Sequence, residues 1–136
     1  MGSPSGSHIM TAALWIGLAG MFGALLRFGI DAWLAVGGRF AAGRPRHFPL
    51  ATLLVNAVGS FVIGLAGGLS LNAQISAEWH AVIATGLAGG LTTFSSFTVA
   101  TVALWQQGRR AAAIGNIALN VGVGLTLAWL GLVLAG

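Results

Sequence analysis

The stretch Thr85-Gly-Leu-Ala-Gly-Gly-Leu-Thr-Thr-Phe-Ser-Ser-Phe-Thr98 concentrates the chemistry of this chain. Two adjacent glycines followed by a run of hydroxyl residues make a poor apolar helix and a good place for the backbone to unwind. Carbonyls freed by unwinding suit a small hard cation, and the amides and hydroxyls beyond them suit an anion. Phe94 and Phe97 are three apart and share a helix face. Aromatic rings are negative on the face and positive at the edge, so two inward-turned edges can hold a small anion without a full positive charge. The plain alternative is a pair of lipid-facing rings. Their neighbours Ser95, Ser96 and Thr98 argue against it.

Further polar groups lie in other apolar runs. Asn56, followed by Gly59, Ser60 and Phe61, offers an NH2 group that donates twice without a full charge. Asn116 and Asn120 stand at i, i+4 with Thr126 further on, either as a polar strip facing the third apolar run or as glue between helices. Arg27 and Asp31 also stand at i, i+4. They form either a self-neutralising pair in a vestibule wall or a site where Arg27 draws anions in by its charge.

These residues require a membrane to hold them. Of the 136 residues, 57% are hydrophobic and only 6% charged, against about 25% charged in soluble domains. Four runs are long enough to cross a bilayer, which takes about 20 apolar residues: Ala12 to Val36, Leu50 to Leu71, Trp79 to Trp105 and Ala111 to Leu134. The expected architecture is an all-α integral membrane domain over 11–136 with four transmembrane helices, the third broken near its middle. Met1 to Met10 (MGSPSGSHIM) reads as an expression-tag remnant, which removes His8 from consideration. Small residues four apart, Ser60, Gly64 and Gly68, then Gly86 and Gly90, let helix backbones approach closely in lipid.

Charge placement predicts orientation. The first connection, Gly37 to Pro49, carries Arg39, Arg44, Arg46 and His47, and the third carries Arg109 and Arg110. Both fall on one side of the membrane, which the positive-inside rule makes cytoplasmic. Arginines scattered between apolar runs form no basic stripe, so a nucleic-acid partner is excluded. The chain has no cysteine, which removes disulfides, thiolate metal sites and cysteine nucleophiles. There is no Ser/His/Asp set, and His80 sits at a helix end without a partner, so no enzyme is expected.

At these residues the sequence resembles the Fluc (CrcB) family of fluoride channels. Gly20-x-x-Gly-Ala-x-x-Arg-Phe28 matches the family's first-span pattern and Thr52-x-x-Val-Asn-x-x-Gly-Ser-Phe61 the second. Gly86-x-x-Gly-Gly-x-Thr-Thr-Phe-Ser-x-Phe97 matches the third and is the most specific. The resemblance implies an antiparallel, dual-topology homodimer in a bacterial inner membrane, with two fluoride pores along the subunit interface. Carried over by motif, Asn56 is the pore-lining amide and Phe94 and Phe97 turn their ring edges to fluoride. Ser95 and Thr98 supply hydroxyls, and Asn116, Asn120 and Thr126 continue the path on the fourth span. The family more often carries Tyr and Ser at the first two of these positions. Arg27 belongs to the vestibule. Backbone carbonyls of Gly89 and Thr92 from both subunits hold a structural sodium ion. The arginine bias sits awkwardly with dual topology: either it is overridden, or an oppositely biased paralogous subunit completes the dimer.

The expected function is passive, fluoride-selective export. A four-span proton-coupled multidrug-type exporter is the first competing reading, and it needs a membrane-embedded carboxylate. The only acids are Asp31, beside an arginine, and Glu78, in a connection. A membrane scaffold subunit is the second, and it leaves the polar run Thr92 to Thr98 without a purpose.

Overall fold

The computed structural model describes residues 6–36 and 48–136, with side-chain surroundings over 10–34 and 48–136. Arg39, Arg44, Arg46 and His47 of the first connection lie outside the described residues. Helix α1 spans Gly6–Val36 and α2 spans Leu50–Leu71. The third span is composite. It starts as α3 (Ala77–Ala81), continues through a π-helical stretch (Val82–Ala88) into the short turn α4 (Gly89–Leu91), breaks, and resumes as α5 (Phe94–Gln106). Helix α6 covers Arg110–Leu134. Among the described residues, four segments are long and apolar enough to cross a membrane: Met10–Leu34, Leu50–Leu71, Ala77–Gln106 and Arg110–Leu134. The expected spans are met within two residues at each end.

The interior is small. Among the described residues, Val55 and Asn116 are the largest fully buried side chains, while Leu14, Trp15, Phe28, Trp33 and Trp129 are among many exposed large ones. Water as solvent would penalise such a surface heavily; lipid does not distinguish it from an apolar core. Packing therefore rests on close backbone approach. A Cβ added at Gly64 would collide with the carbonyl of Ala128, and one at Gly131 with that of Phe61, so α2 and α6 interlock reciprocally. The same holds between α1 and the first half of the third span: Gly23 faces the Leu87 carbonyl and Gly90 the Gly20 carbonyl. Helix α5 completes the bundle by leaning on α6.

The connections have defined stops. Gly108 adopts φ 76°, its amide bonds the Trp105 carbonyl at 3.0 Å, and the Arg109 amide bonds the Leu104 carbonyl at 3.0 Å. That pair of bonds is the Schellman arrangement, which turns the chain sharply from α5 into α6. At the other end of the bundle, Asn72 Nδ2 donates to the Gly68 carbonyl at 2.9 Å and to the Ala135 carbonyl at 3.1 Å, tying the ends of α2 and α6 together.

Candidate functional site at the broken third span

The break falls at Thr92 and Thr93, two residues beyond the place the glycine pair suggests. Gly89 keeps helical angles, φ −63° and ψ −38°. Thr92 turns extended at ψ 157°, and Thr93 follows at φ −146° and ψ 114°. Gly90 serves close packing on α1, where an added Cβ would meet the Gly20 carbonyl, and two β-branched residues, which favour extended backbone, carry the unwinding.

Backbone groups freed at membrane depth need new partners, and α2 supplies them. Asn56 Oδ1 accepts the Thr93 amide at 2.8 Å, while its Nδ2 donates to the Thr93 carbonyl at 3.3 Å. An uninterrupted helix would deliver that amide to the Gly89 carbonyl; the clamp releases the Gly89 carbonyl, and Gly89 is exposed. Thr93 then restarts the helix as the cap of α5, its Oγ1 accepting from the Ser96 amide at 3.2 Å. The Thr92 hydroxyl turns back to the Ala88 carbonyl at 2.9 Å.

The second freed carbonyl meets a cation of the protein itself. Arg27 Nη1 donates to the Thr92 carbonyl at 3.2 Å. Among the described residues no ion pair joins Arg27 to Asp31, although their spacing allows one. The third-span segment has no charge of its own, but α1 delivers a guanidinium to its break.

A directed chain of amides runs from the clamp into the bundle. Asn56 Nδ2 also donates to Asn120 Oδ1 at 3.0 Å, and Asn120 Nδ2 to Asn116 Oδ1 at 3.0 Å. Asn116 Nδ2 donates to Thr101 Oγ1 at 2.8 Å, and Thr101 Oγ1 to the Phe97 carbonyl at 2.8 Å. Each bond polarises the next in a low-dielectric interior. Asn116 is fully buried, so in this arrangement it braces α5 through Thr101. Of the expected donors on α2 and α6, Asn56 and Asn120 are likewise engaged with protein groups. Thr101 is the link between α6 and the Phe97 carbonyl; its i+4 spacing from Phe97 is the one signal of this role in the sequence.

Phe94 and Phe97 stand side by side at the start of α5, ring centroids 5.8 Å apart and tilted by 53°. Phe94 is 77% exposed on the subunit, an unsupported ring beside a helix break. Around them, Thr93 Oγ1 lies 3.3 Å from Ser95 Oγ and donates to Ser96 Oγ at 3.0 Å. Thr98 Oγ1 bonds back to the Phe94 and Ser95 carbonyls at 3.1 and 3.0 Å, and Thr126 Oγ1 to the Gly122 carbonyl at 2.8 Å. Thr126 does not join the amide chain; it lies further along α6, exposed on the subunit surface.

Arg27, Asn56 and Asn116 each sit about 10 Å from the helix end nearest the arginine-bearing connections, at about 1.5 Å per residue. The polar cluster thus opens from the half of the bundle next to those connections. Its parts are a fixed cation, a clamped break, two released backbone carbonyls and an aromatic pair flanked by hydroxyls. The cation, the ring edges and the hydroxyls can stabilise a small anion at membrane depth, while the carbonyls suit a cation.

A family model described as CrcB-like protein, Camphor Resistance (CrcB), matches residues 14–132. The chain is 60% identical over 122 residues to a fluoride-specific ion channel, FluC, of Renibacterium salmoninarum, covering 90% of this chain and 97% of that protein. It is 45% identical over 123 residues to a FluC of Thermus thermophilus, covering 90% and 92%. With the FluC of Pyrococcus abyssi it shares 40% identity over 129 residues, covering 94% and 98%.

Proposed function

The chain belongs to the CrcB family of multi-pass membrane proteins, and from that membership we propose its working form. The protein is a fluoride-selective ion channel. The observation that carries this is the match to FluC relatives over 90% of the chain, with the Phe94–Phe97 pair beside the break. Fluoride enters a cell as neutral HF, dissociates at cytoplasmic pH and leaves passively through the channel.

In the proposed path, fluoride enters the vestibule under the attraction of Arg27, loses water stepwise, and finds replacement partners that are mostly neutral. The ring edges of Phe94 and Phe97 and the hydroxyls of Ser95 and Thr98 line the passage, with Asn56, Asn120, Asn116 and Thr126 continuing the polar track. The amides of Asn56, Asn120 and Asn116 meet fluoride only by giving up part of the directed chain. A small, strongly hydrated anion can compete for those donors; chloride, larger and more weakly accepting, cannot. That competition supports selectivity without a deep well that would trap the ion.

The exposed apolar helix faces support assembly with a second copy of this chain in antiparallel orientation, or with a paralogous subunit, giving two pores per dimer. The Gly89 and Thr92 carbonyls, both released from helical bonding by the break, fit sodium at the dimer axis; bound there, it would join the two broken helices by oxygen ligation. Thr92's oxygen keeps a second lone pair beside the Arg27 bond. A bacterial inner membrane suits this export role.

The experiment is ion efflux from liposomes holding the purified chain alone. Fluoride should discharge rapidly and chloride hardly at all. Comparable chloride efflux overturns the selectivity, and absence of flux that a co-expressed paralogue restores overturns the homodimer.

A further inference from the structure

The turn between α5 and α6 carries a charged cluster that the conduction path does not use. The third span ends at Gln106 and the fourth begins at Arg110, so this turn lies at the membrane surface whichever way the subunit is inserted. Arg110 places its guanidinium carbon 5.3 Å from the centroid of the Trp105 ring. Trp105 is half exposed, as expected of an indole at the headgroup level. The ring attracts the cation to its face, and Arg110 is otherwise exposed.

Arg109 makes the stronger demand. Its Nη1 is buried and has no hydrogen-bond acceptor. A buried guanidinium nitrogen without an acceptor is costly. The protein does not meet the need: Asp31 and Glu78 are the only acids in the chain, and neither stands against Arg109 among the described residues. The Schellman turn at Gly108 sets Arg109 and Arg110 at the start of α6, so two arginines enter the membrane surface at consecutive positions beside an interfacial aromatic ring. We infer that Trp105, Arg109 and Arg110 form a binding site for the phosphodiester headgroup of an anionic phospholipid. Two planar forks match phosphate oxygens, and the indole packs against the glycerol backbone and upper acyl chain. In a dual-topology dimer the two copies of the site face opposite leaflets.

The test is native mass spectrometry of the full chain, delipidated in detergent and titrated with phosphatidylglycerol or with phosphatidylcholine of the same acyl chains. Retained phosphatidylglycerol in excess of phosphatidylcholine is expected, falling about fivefold for each of Arg109→Gln and Arg110→Gln, the effect of one surface arginine on anionic lipid. Arg44→Gln, on the same side in sequence, reports diffuse attraction; an equal fall there overturns a defined site. Displacement by millimolar inorganic phosphate overturns the lipid as source. For the unaltered protein, bromine-labelled phosphatidylglycerol should quench a fluorescence component that Trp105→Phe removes. Quenching unchanged by that substitution overturns the proposal even where the arginine variants fail to fold.

Discussion

Asn56 grips Thr93 at both backbone polar groups, accepting its amide at 2.8 Å and donating to its carbonyl at 3.3 Å. The side chain substitutes for the helical bonds that the break removes. Asn56→Leu fits the space but leaves two freed backbone groups unpaired at membrane depth, at about 1–3 kcal/mol each. The melting temperature of the detergent-solubilised protein should fall, and fluoride efflux should fall with it. A variant that loses flux at unchanged stability would show that Asn56 acts on the ion alone.

The aromatic pair should separate function from folding. Phe94 is 77% exposed on the subunit, so Phe94→Ile removes little packing within one chain, and its cost should stay below about 1 kcal/mol. Yet it replaces a positive ring edge by an aliphatic group that offers an anion nothing. Fluoride efflux from liposomes should drop by orders of magnitude while size-exclusion profile and melting temperature hold. Unaltered flux in both Phe94→Ile and Phe97→Ile would remove the ring-edge mechanism.

The parts of this molecule that were legible in sequence are those set by composition and local spacing. Four apolar runs gave four spans, and the run Thr92 to Thr98 marked the interruption. What sequence spacing could not supply was the partner of each polar side chain across helices. Arg27 and Asp31 satisfy the i, i+4 rule, but a long guanidinium reaches beyond its own helix, and Arg27 donates to the freed Thr92 carbonyl, which would otherwise be unpaired at membrane depth. Likewise, Gly89 and Gly90 read as points of weakness because glycine is conformationally free. In the bundle Gly90 uses its lack of a Cβ for contact with the Gly20 carbonyl, Gly89 keeps helical angles, and the unwinding moves on to the threonines.

Two glycine substitutions should have opposite signs. A Cβ at Gly64 collides with the Ala128 carbonyl, backbone that cannot rotate away. Gly64→Ala should destabilise by roughly 1–3 kcal/mol. Gly115 has nothing within 4 Å of the added Cβ. Gly115→Ala should therefore gain about 0.5–1 kcal/mol of helix propensity. Thermal unfolding of both variants in one detergent checks the pair, and matching signs would mean that α2 and α6 do not interlock as described.

Arg27 should oppose the cation whose ligand it shares. Its Nη1 lies 3.2 Å from the Thr92 carbonyl, the oxygen proposed to hold sodium. A guanidinium and a sodium ion on two lone pairs of one oxygen stand about 5 Å apart, and at an effective dielectric near 20 they repel by roughly 3 kcal/mol. Arg27→Gln keeps a donor for the carbonyl and removes the charge, so sodium should bind at least tenfold more tightly. The same substitution withdraws the charge that draws fluoride into the vestibule, so efflux should slow while fluoride-over-chloride selectivity persists. Sodium titration of dimer thermal stability, with N-methylglucamine as the replacing cation, reads the first effect; liposome efflux reads the second. A sodium midpoint that stays in place while efflux slows would assign Arg27 to the anion alone and separate the break from its nearest charge.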